Sequence, residues 1–374
     1  MTAQSVDGVS TLFEALCRTR SQSLSEGAIS AQVKGLLESF GFAFKEDDAA
    51  AQLGGEAGNL ICHIPGADAT KTIVICAHLD TVPTGEVIEP VCVDGRWSND
   101  GDGILGVDNK AAVSALLTAI QKWSDQPPAV NVTAVFTVAE EISLQGAKQL
   151  DFSQIDASAA FFFDHPTPIG SLVTRSPAHH AIQIEFIGRP AHAAVEPEAG
   201  SSAIKAAATA IEAYPNGRVS EATTSNFGVV AGGSAINVVP ERCSVLAEVR
   251  SLDPSELTTQ TRLLIDAAHE GAGQHGCEAD VVVVPSFRGY EHADSHVGMV
   301  IAHTALGAVG IESEPITSAG GSDANVFEEH GIPSVNMGDG SSATHTASES
   351  ILDSDLHRLV EVILALPKAA SEVI

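Results

Sequence analysis

Four short segments rich in Val, Ile and Phe, at 59–64, 72–77, 131–139 and 159–163, read as strands buried on both faces, and that constrains the fold more than anything else in the chain. Strands apolar on both sides need cover above and below. Residues 109–123 read as a helix, and Leu12, Leu16, Val33, Leu36 and Leu37 recur at helical spacing within 6–40, which predicts two further amphipathic helices. Alternating buried strands and helices predict an α/β sheet. After Ser176 the pattern changes to strand 180–187, helix 201–213, strands 227–231 and 243–250, helix 255–272 and strand 278–284, the βαββαβ order of a ferredoxin-like unit. A helix at 297–307 and a strand at 334–337 resume the first style. The expected plan is therefore a discontinuous larger domain, 1–176 and 287–374, with a smaller domain at 177–286 inserted into it. A length of 374 residues suits two domains.

Composition narrows the function. With 48 acidic against 19 basic side chains the formal charge is −29, which repels nucleic acid and anionic lipid, so neither is an expected partner. No apolar run approaches the roughly 20 residues of a membrane span. The opening residues 1–7 lack a basic stretch followed by an apolar run, and a cytoplasmic location is expected. Six cysteines without a Cys-x-x-Cys pair read as reduced structural thiols.

The chemistry-bearing residues fall at strand ends. His78 and Asp80 follow the run 72–77, Glu140 and Glu141 follow the run 132–139, and Asp164 follows 159–163. Carboxyl ends of strands in an open α/β sheet form the ligand crevice, where residues distant in sequence converge. Asp108 opens a helix and His345 lies in a polar loop at 338–348. Imidazole mixed with carboxylate suits two adjacent divalent cations, with zinc favoured and manganese or cobalt fitting similar sites. In a paired Glu-Glu one side chain can bind metal while its neighbour serves as a base, and in His-x-Asp the acid can orient the imidazole. Taken singly, Glu140-Glu141 is a solvated acidic pair, and His78 or His345 a surface histidine. Gly101-Asp102-Gly103-Ile104-Leu105-Gly106 matches a dinucleotide fingerprint but follows a polar turn where the fingerprint needs a strand. It reads instead as a loop approaching the metals.

The ordered set resembles the dinuclear zinc exopeptidases that include peptidase T, carboxypeptidase G and acetylornithine deacetylase, and is most similar to peptidase T and its relatives. The resemblance rests on Ala77-His78-Leu79-Asp80-Thr81-Val82-Pro83, Leu105-Gly106-Val107-Asp108-Asn109-Lys110-Ala111, Thr137-Val138-Ala139-Glu140-Glu141 and Phe163-Asp164. It continues through Gly188-Arg189-Pro190-Ala191-His192-Ala193, Asn237-Val238-Val239-Pro240-Glu241, Gly320-Gly321-Ser322-Asp323-Ala324-Asn325 and His345-Thr346-Ala347-Ser348-Glu349. It implies a catalytic domain interrupted by the ferredoxin-like block as a lid, with Asp108 bridging two metals. His78 and Asp164 complete one site, Glu141 and His345 the other. Glu140 is implied as general base and Asp80 as the residue that orients His78. His192, Asn237 and Arg250 match substrate-binding positions of the lid, and a cis peptide is implied after Asp108. Many relatives have two acids where this chain has Asp108-Asn109.

The resemblance further implies hydrolysis of a terminal bond of short peptides, with tripeptide aminopeptidase as the leading reading and a homodimer through the lid. N-acyl amino acid deacylation and carboxypeptidase activity use the same metal chemistry and stay open from sequence. A non-catalytic metal-binding scaffold is the reading of a different class, and the presence of Glu140 argues against it. A nicotinamide-dependent oxidoreductase ranks below that.

Overall fold

The computed structural model describes residues 8–85 and 87–374. The expected start of the first helix at Val6, and the opening residues 1–7 on which the expected location rested, lie outside the described residues. The chain forms two compact units. One comprises the chain up to Thr174 with Glu291–Ser318 and Ser322–Ile374; the other is Arg175–Tyr290 with Ala319–Gly321. The second is wider than the 177–286 expected, and the short return Ala319–Gly321 joins it for a local reason. Ser176 Oγ donates to the Gly320 carbonyl at 3.1 Å, and Gly321 lies so close to the Phe287 ring that a Cβ there would strike it.

The larger unit is built on a mixed sheet whose interior order is Leu60–Ile64, Val130–Thr137, Asp68–His78, Ala159–His165 and Ser334–Gly338. The last four run parallel, so their carboxyl ends finish on one side. Parallel strands are covered on both faces, which is why Ile73 to Leu79 and Val132 to Val138 are buried without a polar-out alternation. Helices Val9–Cys17, Val107–Asp125 and Asp353–Val373 pack on one another over this sheet. Phe13, Leu116, Phe136, Phe161 and Ile363 share one fully buried core, each contributing roughly 1.5–3 kcal/mol of apolar burial. The helix expected at 109–123 spans Val107–Asp125, and that expected at 297–307 spans Val297–Ala308. The long carboxyl-terminal helix was not anticipated, although Leu356, Leu359, Val360, Ile363 and Leu366 mark its apolar stripe; Pro367 within it is the kind of residue that argues against helix.

The inserted unit is an antiparallel sheet ordered Gly217–Arg218, Thr223–Gly232, Arg242–Ser251, Ala178–Ile187 and Glu278–Phe287, with helices Ala203–Ala213 and Pro254–Gln274 packed against it. Apart from the short Gly217–Arg218 strand this is the expected ferredoxin-like arrangement. Period-two alternation places Ile182, Ile184, Phe186, Val245, Ala247 and Val249 in the core with the helices. Leu246, Val282 and Val284 are exposed. Two helices and one buried sheet face suffice for a core of its own. Among the described residues no helix is long and apolar enough to cross a membrane.

Candidate metal centre

The parallel strands deliver their chemistry together. His78 ends strand Asp68–His78 and pairs in register with Thr137, three residues before Glu140; Asp164 stands near the end of Ala159–His165. Two loops complete the group. Gly106, with a φ of 79° that glycine adopts without steric cost, turns the chain into helix Val107–Asp125 and presents Asp108, whose peptide bond to Asn109 is cis. His345, itself at a φ of 64°, comes from the loop after strand Ser334–Gly338.

Two triads result, His78 with Asp108 and Asp164, and Asp108 with Glu141 and His345. His78 Nε2 lies 3.0 Å from Asp108 Oδ1 and 3.4 Å from Asp164 Oδ1. His345 Nε2 lies 3.3 Å from Asp108 Oδ2 and 3.1 Å from Glu141 Oε1. Asp108 thus directs one carboxylate oxygen into each triad. Donors arranged tetrahedrally about one zinc, at bond lengths of about 2.0–2.1 Å, are separated by roughly 3.3 Å, and the spacings in both triads match that.

The electrostatics point the same way. Burial pushes the Asp164 carboxyl up to about 7, with the Asp108 and Asp323 charges adding to it and His78 opposing. Burial, then Asp164, Asp323 and Glu141, raise Glu140 well above the carboxylate range. Hydrogen bonds to Asp108 and Glu141 raise His345 to about 10. Burial opposes protonation of His78, but hydrogen bonds to Asp108, Asp164 and Asp80 raise it well above the histidine range. Asp108 is raised by burial but held below its ordinary value by those two histidines. Packing Asp108, Asp164, Glu140 and Glu141 around two imidazoles is costly without added positive charge, so donor chemistry, spacing and charge all fit a pair of divalent cations.

The environment also shows how Glu140 is aimed. Asp80, expected to orient His78, lies against its Nδ1 with the backbone carbonyl at 3.0 Å and a carboxylate oxygen at 3.5 Å. The carboxylate accepts from the Glu140 and Glu141 backbone N–H groups at 2.9 and 3.1 Å and from Ser23 Oγ at 2.6 Å. Glu26, buried and assigned nothing from sequence, accepts from the N–H groups of Leu24 and Ala139 at 2.9 and 3.0 Å. Three consecutive N–H groups at the Glu140 turn are therefore held by two carboxylates. Glu349, quoted in a motif but given no role, accepts from Gly106 N–H at 2.6 Å and Asp108 N–H at 3.2 Å. The Asn336 side chain brackets the Asp164 backbone at 3.1 and 3.0 Å, and Thr137 Oγ1 donates to the buried Asp323 at 2.6 Å. No spacing rule would have found these residues, because the partners that tie them to the centre are far away in sequence.

In the inserted unit, His192 and Asn237 come together. His192 bridges Val238, and the Ala193 N–H donates to the Asn237 carbonyl at 3.0 Å. Arg250 does not join them. It lies at the opposite end of strand Arg242–Ser251, held by Glu248 through Nε at 3.2 Å and Nη2 at 3.0 Å.

Comparison with known proteins decides the family. The model of peptidase family M20/M25/M40 matches residues 74–369. The chain belongs to this family. Similar to this M20 peptidase is the Bacillus subtilis (strain 168) protein YqjE, 36% identical over 361 residues that cover 96% of this chain and 97% of that one. The crystal structure of aminopeptidase PepT from Bacillus cereus ATCC 10987 superposes with a TM-score of 0.84 at 33% identity, covering 98% and 99% of the two chains. A tripeptidase from Staphylococcus aureus subsp. aureus Mu50 gives 0.89 at 32%, with the same coverage. The M20 peptidase is thus a metallopeptidase, as the ordered motifs imply, and the scaffold and oxidoreductase readings are set aside. The segment before loop Gly101–Gly106, expected as a polar turn, instead contains strand Arg96–Asn99, which pairs antiparallel with Pro90–Val93 and Ile351–Leu352 rather than lying in the parallel sheet a dinucleotide site uses, and the loop leads into the helix that carries Asp108.

Proposed function

We propose that this M20 peptidase is an aminopeptidase of tripeptides and other short peptides, using two divalent cations, zinc being the best match to the donors. His78, Asp108 and Asp164 would hold one cation, and Asp108, Glu141 and His345 the other. The observation that carries this reading is the Asp108 carboxylate, divided between the two histidine-containing triads. Its similarity to the PepT aminopeptidase and the tripeptidase supports the substrate class.

When bound, the cation pair supplies Lewis acidity that lowers the pKa of water and polarises the scissile carbonyl. Glu140 belongs to neither triad and carries the proton. Its carboxylate takes a proton from the attacking water as the new C–O bond forms and the carbonyl oxygen takes up negative charge, and then returns that proton to the departing amine as the carbonyl re-forms and the peptide C–N bond breaks. The Asp80 and Glu26 carboxylates fix the backbone from which Glu140 projects. His192 is suited to donate to the developing oxyanion, while Asn237 and Arg250 are suited to bind the substrate carbonyl or carboxylate.

These last residues also support a homodimer. His192 and Asn237 adjoin the Arg242 end of their strand, where Gly188 N–H donates to the Glu241 carbonyl at 2.7 Å. The eight steps from Arg242 to Arg250 span roughly 26 Å at about 3.3 Å per residue. An extended tripeptide spans about 10 Å. One small substrate therefore cannot engage both groups of a single chain, whereas two chains can exchange them. A cytoplasmic setting accords with the six free cysteines.

The test is incubation of the zinc-loaded protein with di-, tri- and tetrapeptides and N-acyl amino acids, with products identified by mass spectrometry. The expected result is release of the amino-terminal residue, fastest from tripeptides. Release from the carboxyl end, or deacylation alone, overturns the assignment.

A further inference from the structure

We infer that His292, His296 and Glu328 form a third cation site, separate from the centre around Asp108 and suited to zinc or a similar borderline divalent ion. Their donor atoms can all be placed within 4.8 Å of one another. Glu328 Oε1 lies 3.3 Å from His296 Nε2 and 3.7 Å from His292 Nε2. Those spacings are close to the roughly 3.3 Å between donors that share a tetrahedral zinc at about 2.0–2.1 Å. Two imidazoles and a carboxylate are a donor set such ions favour over magnesium or calcium, which prefer oxygen.

The surroundings are those of ligands fixed from behind. The Ser334 backbone hydrogen-bonds the His292 ring, the support that commonly orients a ligating imidazole. The Ser334 N–H donates to Glu328 Oε1 at 2.6 Å, which fixes the carboxylate. His292 is nearly enclosed at 3% side-chain exposure, while His296 and Glu328, at 19% and 22%, leave an entry path. The two rings stack with centroids 4.0 Å apart and planes 17° from parallel. One ring must turn about its Cβ–Cγ bond to aim its lone pair at a shared ion, and His296 is the more exposed of the two.

The cluster lies outside the metal centre. Ser334 pairs with Ala160 at the start of the parallel strands, whereas Gly338 pairs with His165, next to Asp164. Four strand steps, roughly 13 Å, separate the two ends. An ion there would tie the start of helix Val297–Ala308 to the end of helix Asp323–Glu329 and the start of strand Ser334–Gly338. Its role is structural.

The test is equilibrium dialysis of the full, chelator-stripped chain against zinc, with bound metal counted by atomic emission. Wild type is expected to hold one equivalent more than His296→Phe, which keeps an aromatic ring for stacking, and more than Glu328→Gln, which keeps an acceptor for Ser334. Peptide hydrolysis by both variants should stay within twofold of wild type. Asp108→Ala, which disables the other centre, should keep one equivalent and lose it when His296→Phe is added. Equal zinc in wild type and both variants overturns the site, as does an Asp108→Ala protein that holds none. Failure of the two-cation reading of the Asp108 centre would leave the difference between wild type and His296→Phe intact. Unchanged circular dichroism confirms that each counted variant is folded.

Discussion

Replacing Glu140 with Gln isolates the proton-transfer step. The side chain keeps its size, its residue is only 8% exposed, and its backbone N–H stays bonded to Asp80 at 2.9 Å, so the amide should occupy the same place. Because Glu140 is in neither triad, the donors to both cations are untouched. What disappears is a carboxylate able to accept a proton. General acid–base catalysis contributes about 10²–10⁴-fold in rate, which at about 1.4 kcal/mol per decade is roughly 3–5 kcal/mol of barrier. The expected result is therefore a kcat lower by two to four orders of magnitude, with KM little changed and bound metal equal to wild type. Steady-state kinetics on a tripeptide, with metal counted on the same sample, measures both. A kcat within tenfold of wild type removes Glu140 from its role. Loss of metal in step with loss of rate would instead make it a ligand and refute the division of labour within the Glu140-Glu141 pair.

Asp108→Ala, on the His296→Phe background so that one centre is counted, is expected to drop bound zinc from two equivalents to below one, since both triads share that carboxylate; a retained pair would refute the sharing. Glu26→Leu strands the N–H groups of Leu24 and Ala139 and should cost roughly 2–6 kcal/mol in urea unfolding at about 1–3 kcal/mol per orphaned group. The Gln variant, which keeps an acceptor, should recover most of that; equal stability of Leu, Gln and wild type would show that the clamp is idle. In the inserted unit, the His179 ring and then the Arg250 guanidinium hold the Glu248 carboxyl down at about 2. A folded-state value below the unfolded one contributes stability that is complete above about pH 4.5 and is lost as pH falls toward 2. Acid unfolding of Glu248→Gln should therefore be flatter than wild type across that window, and identical profiles would contradict the pairing.

The chain order of short apolar runs determined the α/β sheet, because strands buried on both faces must be continuous in hydrophobic residues. The alternation after Ser176 determined the ferredoxin-like insertion in the same way. His78, Asp108, Glu140, Glu141 and Asp164 stood out because each stands just past a run that had to be a strand or just before a helix, and parallel strands must end side by side; His345, deep in a polar loop, was marked only by the ordered motifs. Helix Asp353–Val373 was less legible, since Pro367 masks a stripe that tertiary packing stabilises.

Only the folded chain decided how those residues are supported. Glu349 meets Gly106 across 243 residues of sequence, and Asp323 meets Thr137 across 186; no local period encodes such pairs. Folding also divided the Asp80 carboxylate between its histidine and the Glu140 turn, drew His292 and His296 toward Glu328, and set Arg250 a strand's length from His192. A sequence fixes which face of an element is apolar. Which buried carboxylate answers which backbone N–H depends on where the elements stop against one another, and that is settled by packing.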